Sequence, residues 1–282
     1  MVVIDKLRCT GCGSCVGICH EHCMALRNRK VTIEHALCST CTQCIAICPN
    51  KALSWNGVVP LGYDGDLLPS ADQVLELLQE RRTTRDFTDE RLSQETLEEL
   101  VSAGVYAPTH NFHLRCVIVD DVSLIDAFDK AALDFSQRIY TLMFRPRLVR
   151  ALVGLASLPI REELTRARPK LEAARERGRG FKSRPAALIL VIGEKRVPLS
   201  LESAQYALYN MTLLAQTKGL GCQNLVGNQM VFNRSKAIRR HLGLARRERV
   251  FAVMGVGRPA VRFRNKPAGK IMSIQWNGGG EN

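Results

Sequence analysis

The sequence predicts an α+β protein made of a small cysteine-rich domain and a larger domain in which helices alternate with buried strands. Eight of the eleven cysteines repeat one spacing pattern within the first fifth of the 282 residues. Glycine and proline then recur without periodicity in Ser54–Pro69, as is typical of a linker. From Ser70 onward, apolar residues recur at helical and at strand spacing. We therefore expect domains at 1–58 and 70–282, joined by a linker at 59–69.

The first domain contains two copies of the pattern C-x-x-C-x-x-C-x-x-x-C. This is the spacing of bacterial ferredoxins with two 4Fe-4S clusters, in which each run gives three ligands to one cluster and its fourth ligand to the other. The resemblance implies a ferredoxin-like α+β fold that transfers electrons. The two predicted ligand sets are Cys9, Cys12, Cys15 and Cys48, and Cys38, Cys41, Cys44 and Cys19.

Zinc sites and disulfides also use paired cysteines, so they are the alternatives to clusters. Two matching four-cysteine runs favour clusters, and the second run ends in Cys48-Pro49, as ferredoxin runs do. The first run departs from that pattern, because His20 follows Cys19. This change leaves ligation intact and affects only the surroundings of the cluster. The remaining cysteines are expected to be small buried apolar residues: Cys23, Cys116 and Cys222.

The net charge and the hydropathy of the chain limit the binding partners and the cellular location that can be expected. The formal net charge is +13, and much of it lies in the basic segment 145–184. Helical spacing and few aromatic residues favour a solvated helical arm there over nucleic-acid binding, and attraction of an acidic electron donor or an anionic substrate is a further alternative. The chain begins without a signal-like segment and has no apolar run long enough to span a bilayer. Together with oxygen-sensitive clusters, this predicts a cytoplasmic protein.

The second domain reads as a series of helices and buried strands. Ser70 is expected to cap the first helix, which ends at Arg81-Arg82. A long helical segment, 123–180, is expected to be interrupted at Pro146, Pro159 and Pro169. The other predicted elements are helices at Ser93–Gly104 and Leu201–Lys218 and strands at Leu114–Val119, Ala186–Ile192 and Val250–Val256.

Three short motifs of this domain point to a phosphate-bearing cofactor. The run Arg81-Arg82-Thr83-Thr84-Arg85-Asp86-Phe87 follows a helix and combines three guanidinium groups with two hydroxyls, which suits a phosphate. The other two motifs are Ala107-Pro108-Thr109-His110-Asn111-Phe112-His113, before a strand, and Gly219-Leu220-Gly221-Cys222, after a helix. The ordered set resembles the nitroreductase family of FMN proteins from about Ser70 to Trp276.

This resemblance implies a nitroreductase-like α/β sandwich, a central mixed sheet covered by helices, with FMN bound to it. It implies that Arg81, Arg82, Thr83 and Arg85 hold the FMN phosphate and ribityl chain. It also implies that Pro108, Thr109 and Asn111 bind the cofactor, with Asn111 hydrogen-bonded to the isoalloxazine. The loop Leu225-Val226-Gly227 would lie against the ring, and Arg264 and Lys266 would return to the phosphate.

The substrate side departs from the family pattern. His113 stands where the family has glutamine, and Leu114-Arg115 replaces its Pro-Trp. His110 and His113 are therefore candidate proton donors to a substrate that receives hydride, because histidine titrates near neutrality. The alternative is that they are packed polar side chains or bind the FMN pyrimidine.

The sequence thus predicts a flavin oxidoreductase that passes electrons from two 4Fe-4S clusters to FMN and on, as hydride, to an organic acceptor of the nitro, quinone or enone class. An external ferredoxin or NAD(P)H is the expected donor, and the resemblance implies a homodimer. The alternative function is an electron-transfer module in which FMN is a relay and the partner is a protein. A nucleic-acid-binding role has only the net charge in its favour.

Overall fold

The computed structural model describes residues 1–108, 113–144, 158–266 and 272–276. Its first part consists of two antiparallel strand pairs and two short helices. Strand β1 pairs with β4, and β2 pairs with β3. The bounds are β1 Val2–Ile4, α1 Ser14–Ile18, β2 Met24–Arg27, β3 Lys30–Ile33, α2 Gln43–Ile47 and β4 Leu53–Trp55, with a 3-10 turn at His35–Leu37.

The two halves of this first part repeat the order strand, helix, strand. Corresponding cysteines are 29 positions apart, as in Cys9 and Cys38 or Cys19 and Cys48. Both helices start from a residue in the left-handed region, Gly13 at φ 84° and Thr42 at φ 61°. The core between the halves contains apolar side chains together with the cysteines. The chain therefore folds here as a twofold repeat, in which most of the cysteines pack into the core while Cys12 and Cys41 are exposed.

The second part is built on a four-stranded sheet with strand order β5-β6-β8-β7. All three pairings are antiparallel, so the expectation of a mixed sheet is wrong for these strands. The reason is that β8 runs between β6 and β7 in the opposite direction to both. In the described part of the chain, parallel pairing is confined to a bridge between Thr83 and Cys222. The bounds are β5 Arg115–Val119, β6 Ala187–Glu194, β7 Gly221–Asn224 and β8 Glu248–Gly257.

Helices cover both faces of this sheet, which confirms the sandwich. Strand β6 is apolar and buried from Ala187 to Ile192, and its residues alternate between the two layers. Ile189 packs with Leu100 and Met211, whereas Leu190 packs with Ile125 and Phe232. The bounds are α3 Ala71–Glu80, α4 Gln94–Ala103, α5 Val122–Phe144, α6 Leu158–Arg177, α7 Ser200–Thr217, α8 Asn228–Arg234 and α9 Lys236–His241, with 3-10 turns at Gly65–Leu67 and Gly104–Tyr106.

The structure confirms the predicted cap at Ser70. Ser70 accepts a hydrogen bond from Gln73 N at 3.2 Å, and the Gln73 side chain accepts from Ser70 N at 2.8 Å, which forms a capping box. Ser93 caps α4 by accepting a hydrogen bond from Thr96 N at 3.2 Å. The predicted break at Pro169 is wrong, because α6 continues through it. Pro146 lies outside the described residues.

A buried carboxylate joins α5 to the turn after α6. Asp129 is 4% exposed and accepts hydrogen bonds from Gly180 N at 2.7 Å and Phe181 N at 3.1 Å. Burial raises the pKa of this carboxyl, and the two N–H groups oppose that rise. A Cβ at Gly180 would stand 2.6 Å from Asp129 Oδ1, so a glycine is required at this contact.

Candidate functional site

The first part of the chain holds two cavities lined by cysteines. Cys9, Cys12, Cys15 and Cys48 line the first, together with Asn50 and Ala52. Cys19, Cys38, Cys41 and Cys44 line the second, together with Cys23. The structure thus groups the cysteines into the same two sets that the sequence spacing predicts. Their role as cluster ligands stays a prediction.

Several groups around the two cavities bear on ligation. Backbone N–H groups donate to two of the sulfurs: Thr40 N to Cys38 Sγ at 3.4 Å and Ala52 N to Cys48 Sγ at 3.3 Å. Burial raises the pKa of the Cys44 thiol to about 11. Zinc would need sulfurs at about 2.3 Å from one point. Among the described residues, no group of three or more His, Cys, Asp or Glu side chains is arranged to hold a metal ion.

The predicted phosphate-binding segment is attached to the edge of the large sheet. Arg81 caps the end of α3, with its N–H donating to Leu77 O at 3.2 Å. Two residues on, Thr83 forms the bridge to Cys222, and Thr84 N donates to Cys222 O at 3.0 Å. The segment therefore runs beside β7 and is held by main-chain contacts.

The contact between this segment and β7 depends on one glycine. A Cβ on Gly221 would stand 2.5 Å from Thr84 Oγ1 and 2.6 Å from Thr84 Cβ, closer than real side chains approach. Thr84 is itself buried, at 4% exposure. Gly221 thus lets the segment that contains Arg81 and Thr83 come close to the sheet.

The guanidinium groups of the segment lack anionic partners in the described part of the chain. Arg81 Nε is buried and has no hydrogen-bond acceptor there. Neither Arg81, Arg82 nor Arg85 takes part in any ion pair that joins described residues. Arg82 Nη1 donates to Arg81 O at 2.5 Å, and Arg85 is exposed. This arrangement of donors can bind an anion that has several acceptor oxygens.

Other predicted cofactor residues lie near the same elements. Leu225 follows β7 directly, and its N–H donates to Val253 O at 2.8 Å. It is three residues beyond Cys222, roughly 10 Å along the strand. Val226 is 64% exposed, and Gly227 precedes α8. Lys266 forms an ion pair with Glu76 of α3, the helix that ends at Arg81, while Arg264 is exposed.

The histidine motif is described only at its ends. Pro108 and His113 are both exposed and flank residues that lie outside the described part of the chain. Those residues include Thr109, His110 and Asn111, so their predicted places at the cofactor remain predictions. The proton-donor hypothesis for His110 and His113 is likewise a prediction.

Sequence reasoning missed three features of the sites. It counted the Thr84 hydroxyl among the phosphate donors and did not predict that Thr84 is buried against Gly221, a contact that brings the arginine segment close to the sheet. It also overlooked β7 itself. It also treated Cys23 only as a small apolar residue, although Cys23 lines the second cysteine cavity. That position could have been found by comparing the two repeats, in which Cys23 corresponds to Ala52.

Cys222 and Cys116 do lie in or against the apolar core, as expected, and burial raises their pKa values to about 12 and about 11.

The basic segment is described from 158 onward. Along α6, Arg166 pairs with Glu162 at 2.7 Å, and Arg168 pairs with Glu172 at 2.9 Å, both one helical turn apart. These four side chains are more than half exposed, which agrees with a solvated helical arm. No helix of the described residues has the length and apolar character needed to cross a membrane.

Comparisons with known proteins place the larger part of the chain in a family. The model of the nitroreductase family matches residues 78–258. Similar solved structures are an FMN-bound nitroreductase from Bacteroides fragilis (17% identity, 72% of this chain and 99% of that chain, TM-score 0.51) and an FMN-dependent nitroreductase from Clostridium difficile (16%, 73%, 100% and 0.52). An iodotyrosine deiodinase bound to FMN and 3-iodo-L-tyrosine is also similar (21%, 73%, 99% and 0.50).

At these identities the structural similarity is one of fold. No curated protein matches the chain. The family match covers well over half of the 282 residues, and it confirms the prediction of an FMN-dependent oxidoreductase with a nitroreductase-like α+β fold. This chain therefore belongs to the nitroreductase family.

Proposed function

We propose that this oxidoreductase takes in electrons through two 4Fe-4S clusters and delivers them, by way of FMN, as hydride to a small organic acceptor of the nitro, quinone or enone class. The observation that carries the proposal is that one chain contains two cavities, each lined by one of the predicted sets of four cysteines, together with a domain of the nitroreductase family. A flavin can accept electrons one at a time and pass them on as a pair. A donor on the same chain raises the effective concentration of the electron donor at the flavin.

The arginine segment fits the phosphate of FMN. The buried Nε of Arg81 lacks an acceptor among the described residues, and a phosphate oxygen would supply one. Arg82 and Arg85 add positive charge that no described carboxylate offsets, and Thr83 adds a hydroxyl donor. The Lys266–Glu76 ion pair keeps the later basic residues beside α3. FMN would thus be held at the edge formed by α3 and β7.

The cysteine cavities fit clusters better than disulfides. Each cavity has on its wall three cysteines from one four-cysteine run and one from the other, as two interlocked clusters require. The N–H groups of Thr40 and Ala52 already point at sulfurs, and such bonds stabilise thiolate ligands. Since the buried thiols carry protons when free, cluster assembly must displace those protons.

A homodimer accounts for apolar surface that the single chain leaves uncovered. Helix α3 has no buried residue, although Val74, Leu75 and Leu78 share one face and are 40%, 52% and 41% exposed. Tyr106 and Tyr206 are also largely exposed. Apolar faces of this kind mark association sites, and a twofold dimer is the commonest way to cover them. Sedimentation of the wild type and of Leu75→Glu tests this, with the variant expected to be monomeric.

The experiment that tests the proposed function is an anoxic titration of the full chain after reconstitution with iron, sulfide and FMN. Reduced low-potential ferredoxin and NAD(P)H are compared as donors while flavin bleaching is followed. We expect ferredoxin to bleach the flavin of the wild type, and Cys12→Ala to slow that bleaching strongly while retaining FMN. Cys116→Ala, which removes a cysteine outside both cavities, is the matched control and should behave as the wild type.

Two outcomes would contradict the proposal. An unchanged rate of bleaching by ferredoxin in Cys12→Ala would show that the cysteine cavities are not the entrance for electrons. A flavin that is reduced normally but is reoxidised by none of the nitro, quinone and enone acceptors would instead favour an electron-transfer module with a protein partner.

A further inference from the structure

A fifth cysteine stands at the second cysteine cavity. Cys23 is 6% exposed and lines this cavity beside the four predicted ligands. Its Sγ lies 3.4 Å from Cys19 Sγ, within hydrogen-bond reach for sulfur. The main chain fixes this arrangement, because His22 N donates to Cys19 O at 3.1 Å and Glu34 N donates to Cys23 O at 2.7 Å.

The first cavity has no such sulfur. At the position that corresponds to Cys23 in the repeat, the chain has Ala52, which is 2% exposed and lines the first cavity. Cys48, the counterpart of Cys19, receives a hydrogen bond only from the backbone of Ala52, at 3.3 Å, among the described residues. The two cavities therefore differ in one side-chain donor directed at the last cysteine of a run.

We propose that Cys23 is a positioning residue whose thiol donates a hydrogen bond to the Cys19 thiolate, and that it thereby raises the reduction potential of the second cluster. This inference rests on the proposed function, since it requires clusters in both cavities. In the loaded protein Cys19 is a thiolate and can only accept, so Cys23, which the spacing leaves outside the ligand set, is the donor of the pair.

The direction of the effect follows from charge. Reduction of a cluster adds one electron, supplied by the external donor, and so increases the negative charge on its sulfurs without breaking a bond. A donor aimed at one of these sulfurs stabilises the reduced form more than the oxidised form, which raises the potential. With Ala52 in place of a thiol, the first cluster lacks this contribution.

The test is an anoxic redox titration followed by electron paramagnetic resonance on the reconstituted full chain, after iron and sulfide have been counted. In Cys23→Ala we expect one of the two midpoint potentials to fall while the other stays unchanged and the iron content stays at the wild-type value. Cys23→Ser keeps a short hydroxyl donor and should fall less. Ala52→Cys is the reciprocal variant, and it should raise the other midpoint potential.

Each result separates this inference from the function on which it rests. The inference alone is overturned if the wild type binds about eight irons per chain and both midpoint potentials are the same in Cys23→Ala and Ala52→Cys as in the wild type. The inference is also overturned if Cys23→Ala binds half as much iron as the wild type while Cys19→Ala binds the full amount. Cys23, and not Cys19, would then be a cluster ligand. If Cys23→Ala does not fold, the reciprocal variant decides, and an unshifted potential in it refutes the proposal. A wild type that binds no iron overturns the proposed function and this inference with it.

Discussion

Replacement of Arg81 by methionine should change the FMN-bound and FMN-free protein in opposite directions. Methionine keeps most of the aliphatic length of arginine and removes the guanidinium. In the free protein, Arg81 Nε is a buried donor without an acceptor among the described residues, a state that costs about 1–3 kcal/mol. The variant should therefore unfold at the same or a higher denaturant concentration than the wild type when FMN is absent.

With FMN, the same substitution removes a charge-assisted hydrogen bond to the phosphate. Such bonds contribute about 1.5–3 kcal/mol, so the dissociation constant of FMN should rise about 10- to 150-fold. Arg81→Lys keeps the positive charge but has no Nε, and should lie between the two. Arg246→Met removes an exposed arginine outside the site and is the matched control.

The assay is quenching of FMN fluorescence on titration with the FMN-free protein, together with urea unfolding in the presence and absence of FMN. A dissociation constant within about threefold of the wild type would refute the assignment of Arg81 to the phosphate. A parallel loss of stability in the FMN-free variant would show that the guanidinium is a structural group.

Three further predictions concern the elements that hold the site. Gly221→Ala should overpack the contact with Thr84, which lies 2.5–2.6 Å from the new Cβ, and lower both the stability, by about 1–3 kcal/mol, and the FMN affinity measured by fluorescence. Glu248→Gln should lower the stability at pH 7 by about 1–2 kcal/mol, because Arg115 holds the pKa of Glu248 at about 2 and partial exposure weakens the pair. Ser70→Ala should remove the capping box of α3 and cost about 1 kcal/mol in urea unfolding.

The Glu248 prediction has a defined pH dependence. The folded pKa of about 2 lies below the unfolded value of about 4.3, so the stabilisation is complete above the unfolded pKa and is lost as pH falls toward 2. The difference in stability between wild type and Glu248→Gln should therefore shrink between pH 6 and pH 3. A difference that is constant with pH would contradict the role given to the Arg115–Glu248 pair.

For Gly221→Ala, unchanged FMN affinity would show that the arginine segment does not depend on the contact between Gly221 and Thr84.

The sequence was most informative where the signal is local. The helix starts at Ser70 and Ser93 depend on side chains within three residues of one another, and the structure has both caps. The cysteine spacing is also local, and its resemblance to the pattern of two-cluster ferredoxins implied which cysteines meet. In these cases the residues that form the feature are near neighbours in the chain or follow a repeated pattern.

Features that depend on distant contacts were missed. Strand β7 has only four residues, two of them polar, and it exists because it pairs with β8. The contact of Gly221 with Thr84 joins segments more than a hundred residues apart. Pro169 shows the reverse error, since a strong local helix breaker lies within the continuous helix α6.

The most direct test of the central claim is the iron, zinc, sulfide and flavin content of the anoxically reconstituted full chain. Two 4Fe-4S clusters and one FMN predict about eight irons, about eight sulfides and one flavin per chain, with little zinc. Bound flavin with about two zinc ions and no sulfide would leave a nitroreductase-family enzyme whose cysteine cavities hold structural metal, and would contradict the proposed electron entry.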